Sequence, residues 1–298
     1  MSSRQSVARP ERPVLFLNPS SGGGKAARAG LAEAAAARRI DVVTIGPGAT
    51  LALLVDEAVA RGADTLGVAG GDGSLAVVAA AAVRHELPFV CVPAGTRNHF
   101  ARDVGIDRGD LVGSLEAFTD GVERLIDVAE VNGRLFVNNV SLGIYGDAVR
   151  QPGYRDAKGR TLLEAAAAVL GPSAPATGIR LVDDDGVAHR DPAVVLVSNN
   201  PYSLLPPAPG IRPSLDGGRL GVIVLGRPRQ EGGPGRAWSA LRLQVSASGP
   251  LDAGVDGEAV TLTPPLEFVT RPGALRVRIP HATLGAGEVV AGSVDVRS

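Results

Sequence analysis

Apolar residues come in short clusters whose spacing changes along the chain. Val14-Leu15-Phe16-Leu17 is an unbroken run ending at Asn18-Pro19, which predicts a buried strand running into a loop. Ser20-Ser21-Gly22-Gly23-Gly24 then leads into an alanine-rich helix reaching Arg39, and Val42 to Ile45 forms the next strand before Gly46-Pro47-Gly48. Leu51, Leu54, Val55, Ala58 and Val59 recur at helical spacing, so one apolar face is predicted, with Thr50 placed as its cap and Gly62 as its stop. Thr65 to Ala69 is a strand entering Gly70-Gly71-Asp72-Gly73, followed by a helix from about Ser74 to His85 and a strand from Phe89 to Val92. Strands alternating with helices imply a parallel sheet covered on both faces, with ligands bound beyond the carboxyl ends of the strands.

After about residue 125 the texture changes. Short apolar runs at 125–131, 134–140, 193–198, 219–225, 266–270 and 274–279 are separated by glycine, proline and aspartate turns, the pattern of an antiparallel β domain. Leu162 to Leu170 reads as a helix after the basic run Arg155 to Arg160, a combination suited either to a core helix or to an anionic lipid surface. The expected division is a disordered lead-in at 1–12, an α/β domain at 13–125 and a β-sandwich domain at 126–298.

Composition narrows the classes. A chain of 298 residues with 45% hydrophobic and 20% charged residues can bury two cores. Its net charge of -1 gives no general attraction to nucleic acid, and no stretch approaches the roughly 18 to 20 apolar residues of a membrane-spanning helix. Cys91 is the sole cysteine, so neither an internal disulfide nor a cysteine-based zinc site can form. A cytoplasmic protein, meeting any lipid peripherally at the inner membrane face, is expected.

Three loops following strands carry candidate phosphate chemistry: Asn18 to Lys25, Gly70 to Ser74, and Gly95-Thr96-Arg97-Asn98. Glycine lets backbone N–H groups approach an anion, and a following helix N-terminus adds partial positive charge. The first loop is not a Walker A element, because Ala26 stands where that motif needs Ser or Thr. Lys25 is either a phosphate neutraliser or a solvated first-turn residue. Asp72, flanked by three glycines, has room to face a ligand or metal.

Gly70-Gly71-Asp72-Gly73-Ser74 resembles the GGDGT signature of the diacylglycerol kinase catalytic domain, whose superfamily includes sphingosine and NAD kinases. Asn18-Pro19-Ser20-Ser21-Gly22, Pro93 to Arg102, Val137 to Gly143 and Val255-Asp256-Gly257-Glu258 resemble further motifs of that family, in the family's order. The resemblance implies an α/β plus all-β fold: an N-terminal doubly wound, Rossmann-like nucleotide domain and a C-terminal antiparallel β-sandwich. It implies an ATP- and Mg2+-dependent lipid kinase acting on diacylglycerol or a related membrane lipid. Carried over by position, the nucleotide would touch Asn18, Pro19, Ser20, Ser21, Gly22, Thr50, Asp72, Gly73, Ser74, Leu75, Ala76, Val77, Val78 and Thr96. Asp72 would organise magnesium and phosphates, Glu258 would be the general base, and Asp216 would mark a structural metal. By itself, without the resemblance, Asp256-Gly257-Glu258 reads as a hairpin turn rather than a catalytic element.

Departures from the family pattern are Ala76-Val77, where an Asn-Glu pair is usual, and Arg97 and His99, which replace Gly and Asp. These altered loops keep open a non-catalytic nucleotide- or lipid-binding regulator, and the sharing of GGDG across the superfamily keeps open a kinase of a soluble acceptor such as NAD. Members of this type are often dimers through the β domain, and the sequence leaves open whether this chain forms a homodimer.

Overall fold

The computed structural model describes residues 5–6, 8–143, 178–183, 185–204, 210–226, 235–281 and 283. The predicted helix at 162–170, its basic run and the proline-rich patch at 206–209 lie outside them. Two compact units emerge: Met1–Ile126 with Ala274–Ser298, and Asp127–Gly273. They differ from the sequence division in that the chain from Ala274 groups with the N-terminal part.

In the first unit, strands β2 (Pro13–Leu17), β3 (Asp41–Thr44), β4 (Thr65–Ala69) and β5 (Phe89–Val92) pair in parallel in the order β3-β2-β4-β5. Their register aligns Thr44, Leu17, Ala69 and Val92 in one row, so the loops after them begin side by side. The lead-in is not wholly irregular: β1 (Gln5–Ser6) pairs antiparallel with Val122 and Glu123 of β6 (Gly121–Val131).

The single alanine-rich helix expected at 25–39 is two, α1 (Lys25–Arg28) and α2 (Leu31–Ala37), because Gly30 turns left-handed at φ 58°. These helices, with the 3-10 turn Gly113–Phe118, pack against Leu15, Leu17, Val90 and Val92. Helix α4 (Asp72–Arg84) packs on β4, β5 and α3 (Leu51–Ala60), and buries Leu75, Val78, Ala79 and Ala82. The short helix α5 (His99–Asp103) follows β5. Thr50 occupies the position before α3, but its side chain makes no capping bond.

In the second unit one antiparallel sheet has the order β13-β12-β11-β8-β15-β16, from Arg236–Ala240, Leu220–Leu225, Val194–Asn199, Asn139–Gly143, Leu251–Val255 and Glu258–Leu262. The other contains β10 (Ala188–Arg190), β9 (Arg180–Val182), β14 (Arg242–Ser246) and the first half of β17 (Leu266–Pro280), with β7 (Arg134–Phe136) paired to β6. Val140, Val195 and Val222 of one sheet share a core with Leu181, Leu243, Val245 and Phe268 of the other, which makes this unit a β-sandwich.

The runs at 266–270 and 274–279 are one strand. Pro272-Gly273 reads as a turn, yet Gly273, at φ 61°, donates its N–H to Asp127 Oδ1 at 2.9 Å and the strand continues. Its second half pairs in parallel with β5, Val277 opposite Phe89.

Candidate active site

β2 and β4 are neighbours, but the chain leaves them toward opposite faces of the sheet, β2 into α1 and α2 and β4 into α4. This divergence is a topological switch point, where open α/β sheets form a crevice beyond the strand ends. Three glycine-bearing loops border it. Asn18 donates its N–H to Ala69 O at 2.9 Å, and its Oδ1 accepts from Ser20 N at 3.2 Å and Ser20 Oγ at 2.9 Å, so the side chain fixes the loop. Pro19 and Ser20 are exposed; Ser21 and Gly22 are half-buried.

The loops touch through backbone. A Cβ on Gly22, which has φ 57°, would stand 2.4 Å from Ala94 O, and one on Gly95 would stand 2.5 Å from Gly71 Cα. Only glycine permits this approach, so no side chain of these two residues could stand between the loops. Asn98, buried at φ 51°, holds the third loop by donating Nδ2 to Pro93 O and Gly95 O at 2.9 Å each. Thr96 lies exposed at its tip.

Asp72 opens α4. The N–H groups of Asp72, Gly73 and Ser74 form the first turn, which helix geometry leaves without internal acceptors. Its Oδ1 is buried with no hydrogen-bond partner, an unusual state for a carboxylate oxygen and one suited to a cation or an incoming donor. Two neighbours sense the carboxylate. Burial, with the Asp72 charge adding, pushes the Cys91 thiol far up, so this cysteine is an inert core residue. Burial holds His99 below the usual histidine range; Asp72 and Asp103 oppose that shift, while Arg102 and Arg97 reinforce it.

Other predicted positions sit differently. Leu75 and Val78 send their side chains into the core, so only their backbone faces elsewhere; Ala76 and Val77 are half-buried. Thr50 is exposed. Lys25 donates Nζ to Arg108 O at 3.1 Å, a tie across the first unit.

Glu258 begins β16 in the second unit, half-exposed, its Oε2 accepting from Arg134 at 3.3 Å. Asp256-Gly257 is a two-residue hairpin turn, both residues at positive φ between the paired Val255 and Glu258. Asp256 also does something the sequence concealed: buried, it accepts the N–H groups of Val137, Asn138 and Asn139 at 2.8, 2.7 and 3.1 Å. Asp216 lies in an exposed turn, its Oδ1 taken by Ser214 Oγ at 2.6 Å. Among the described residues no group of three or more His, Cys, Asp or Glu could hold a metal. The organising acid there is Asp127, which accepts from Gly218, Asn200 and Gly273. An acid inside the apolar run 125–131 was the available signal for it.

Comparison with known proteins agrees with this geometry. Residues 12–131 match the diacylglycerol kinase catalytic domain. The "Probable lipid kinase YegS-like" of Pseudomonas aeruginosa (strain PAO1) is 30% identical over 298 residues, covering 91% of this chain and 95% of its own. A diacylglycerol kinase of Bacillus subtilis (strain 168) is 40% identical over 84 residues, 28% of each chain. Among solved structures, a diacylglycerol kinase from Bacillus anthracis str. Sterne superposes with a TM-score of 0.66 at 17% identity, covering 93% of this chain and 100% of its own, and so shares the fold. Glycine loops at a switch point, a buried Asp72 oxygen with no partner among the described residues, and similarity along nearly the whole chain converge: the chain belongs to the lipid kinase family defined by the diacylglycerol kinase catalytic domain.

Proposed function

We propose that the protein is an ATP-dependent kinase that transfers the γ-phosphoryl group to the hydroxyl of diacylglycerol or a related lipid alcohol, working from the cytoplasmic side of a membrane. One observation carries the reading: Asp72 presents a buried carboxylate oxygen that no group among the described residues uses, at the head of α4 and beside loops whose close approaches admit only glycine. Phosphoryl transfer asks a protein mainly for positioning and charge neutralisation. The N–H groups of the three loops and of the first turn of α4 receive phosphate oxygens, and the Asn18 and Asn98 side chains hold two of those loops in shape.

Magnesium fits this donor set as an ion that arrives with the phosphates, since such ions need only one or two protein carboxylates; Asp72 would hold it, and it would supply charge neutralisation. Asp216, already bonded to Ser214, does not suit a second metal. Glu258 is the general base by its place in the family motif. Arg134 occupies Oε2, and Oε1 has no partner among the described residues, so it is open to take the proton of the acceptor hydroxyl as that oxygen bonds to phosphorus. No described helix is long and apolar enough to cross a membrane; in this reading the lipid is met at a surface.

The test is transfer of labelled γ-phosphate from ATP with magnesium to a total lipid extract. Wild type should label a lipid and Asp72→Ala should not. Glu258→Gln should lose at least about 100-fold in turnover while keeping nucleotide affinity. Full activity of Glu258→Gln would remove that residue as base. Labelled NAD without lipid would make the acceptor a dinucleotide, and nucleotide binding without any transfer would make the protein a regulator.

A further inference from the structure

The outer face of the β10-β9-β14 sheet in the second unit sets like charges against one another among the described residues. Arg180 of β9 and Arg190 of β10 are directly opposed in the antiparallel register, and both are exposed. Like charges placed so close across two strands repel and destabilise the pair. Side-chain alternation puts Leu181, Leu243 and Val245 in the core, so Arg180, Val182, Ala188, Arg190, Arg242 and Gln244 all point the other way. Among the described residues none of these three guanidinium groups has an acidic partner.

The acids nearby in sequence are committed elsewhere. Asp183, fully buried, accepts from His189 at 2.9 Å and from Arg236 at 2.9 Å, and Asp185 pairs with the same Arg236. Arg236 and His189 both stand by the Trp238 ring, His189 stacked at 5.7 Å. Glu130, on β6, is taken by Arg271 at 2.8 Å. Asp191, next to Arg190, accepts from the Gly178 N–H at 2.8 Å, so among the described residues the acid left to oppose the three arginines on this face is Glu267, two strands away from Arg180. Amid them Val182 is 55% exposed, and Val187 at the hairpin end is 49% exposed.

We infer that this sheet face is a docking surface for an anionic lipid bilayer, with Arg180, Arg190 and Arg242 taking headgroup phosphates and Val182 resting at the interface. The choice of a bilayer over other anionic partners rests on the lipid kinase reading and on the exposed valines. No aromatic ring lies on the described face to stack a nucleic acid base. A second copy is a poor occupant, because a two-fold contact sets like patches together and would bring six arginines into one interface. An anionic surface removes the repulsion between Arg180 and Arg190, and each arginine near it strengthens binding about 5-fold.

The experiment is co-sedimentation of the full chain, without nucleotide, with vesicles of phosphatidylcholine alone or mixed with phosphatidylserine. Wild type should bind only the mixed vesicles and should release them as salt rises. Arg180→Gln/Arg190→Gln should bind about 30-fold more weakly, and adding Arg242→Gln should cost about 5-fold more. Arg39→Gln/Arg61→Gln, an equal charge change in the first unit, should stay within about 2-fold. Because the substituted side chains are exposed, Trp238 fluorescence should show the same urea midpoint in every variant.

Equal binding by wild type and Arg180→Gln/Arg190→Gln would overturn the proposal. So would an equal loss in the Arg39/Arg61 control, tighter binding to single-stranded nucleic acid than to vesicles, or conversion of a dimer to a monomer by the substitutions with vesicle binding unchanged. The vesicles contain no acceptor, so the result is independent of catalysis. Conversely, phosphoryl transfer to a short-chain, water-soluble acceptor should be equal in wild type and the double variant, so failure of the kinase reading would show there and not in sedimentation.

Discussion

Replacing Asp256 by alanine separates two roles that one short motif combines. Its carboxylate accepts three backbone N–H groups from Val137, Asn138 and Asn139, and the side chain is buried. Hydrogen bonds to a charged acceptor contribute about 1.5 to 3 kcal/mol each, and buried donors left unpaired cost a similar amount. Three at the low end give roughly 4.5 kcal/mol, and alanine at φ 48° adds about 1 kcal/mol. Non-additivity trims the sum, so about 4 to 5 kcal/mol is expected. Trp238 is the only tryptophan and packs against the core of the second unit, so its fluorescence in urea reports that unit alone. At about 2 kcal/mol per M of urea the midpoint should fall by about 2 M. Asp256→Asn retains one carbonyl oxygen for Asn138 and Asn139 but turns an amide toward the Val137 N–H, so it should lose about half as much. Glu258→Gln, two residues away and half-exposed, should leave the midpoint unchanged. A midpoint of Asp256→Ala within about 0.3 M of wild type would refute the claim that the motif's aspartate anchors the neighbouring strand.

Two further outcomes follow from the geometry. Gly95→Ala places a Cβ 2.5 Å from Gly71 Cα and 2.7 Å from Asn98 Oδ1, so it should weaken ATP binding by at least about 10-fold in calorimetry with helical content by circular dichroism preserved; unchanged affinity would detach the third loop from the nucleotide. Burial raises the pKa of Asp183, but the bonds from His189, Val187 and Asp185 and the charge of Arg236 outweigh it and hold it below the usual carboxylate range. A depressed carboxylate stabilises above its unfolded pKa and ceases to as pH falls, so the second unit should lose stability below about pH 4, and His189→Ala should move that acid limb upward in a Trp238-monitored titration.

The parallel unit was legible because each of its signals is local. Val14 to Leu17, Thr65 to Ala69 and Phe89 to Val92 are apolar runs closed by glycine, proline or asparagine, and the strands end there or within one residue. The three loops were readable for the same reason, since a glycine that must approach backbone is visible as a glycine. What stayed hidden depends on partners distant in sequence. Gly30 interrupts a run of alanines through its own left-handed turn, and propensity alone did not reveal it. Asp127 and Asp256 act through backbone groups about 90 and 120 residues away, a distance no spacing rule spans. Pro272-Gly273 has turn chemistry, but the Asp127 carboxylate carries the strand through it. In Asp256-Gly257-Glu258 the hairpin reading and the family reading were set as rivals, whereas the turn belongs to the first two residues and leaves the third free for chemistry.

That strand has a consequence for biosynthesis. The first unit has its neighbour for β5 only when Ala274 and the residues after it exist, since Val277 and Arg278 pair there. A ribosome adding about 5 to 20 residues per second needs roughly 7 to 30 s to make the intervening 127–273. Throughout that interval Phe89 to Val92 is an open, wholly apolar sheet edge on an emerging chain, the kind of edge that recruits strands from other molecules. Slow translation or a break in the second unit should therefore be felt first as aggregation of the N-terminal half, even though every one of its loops has already been made.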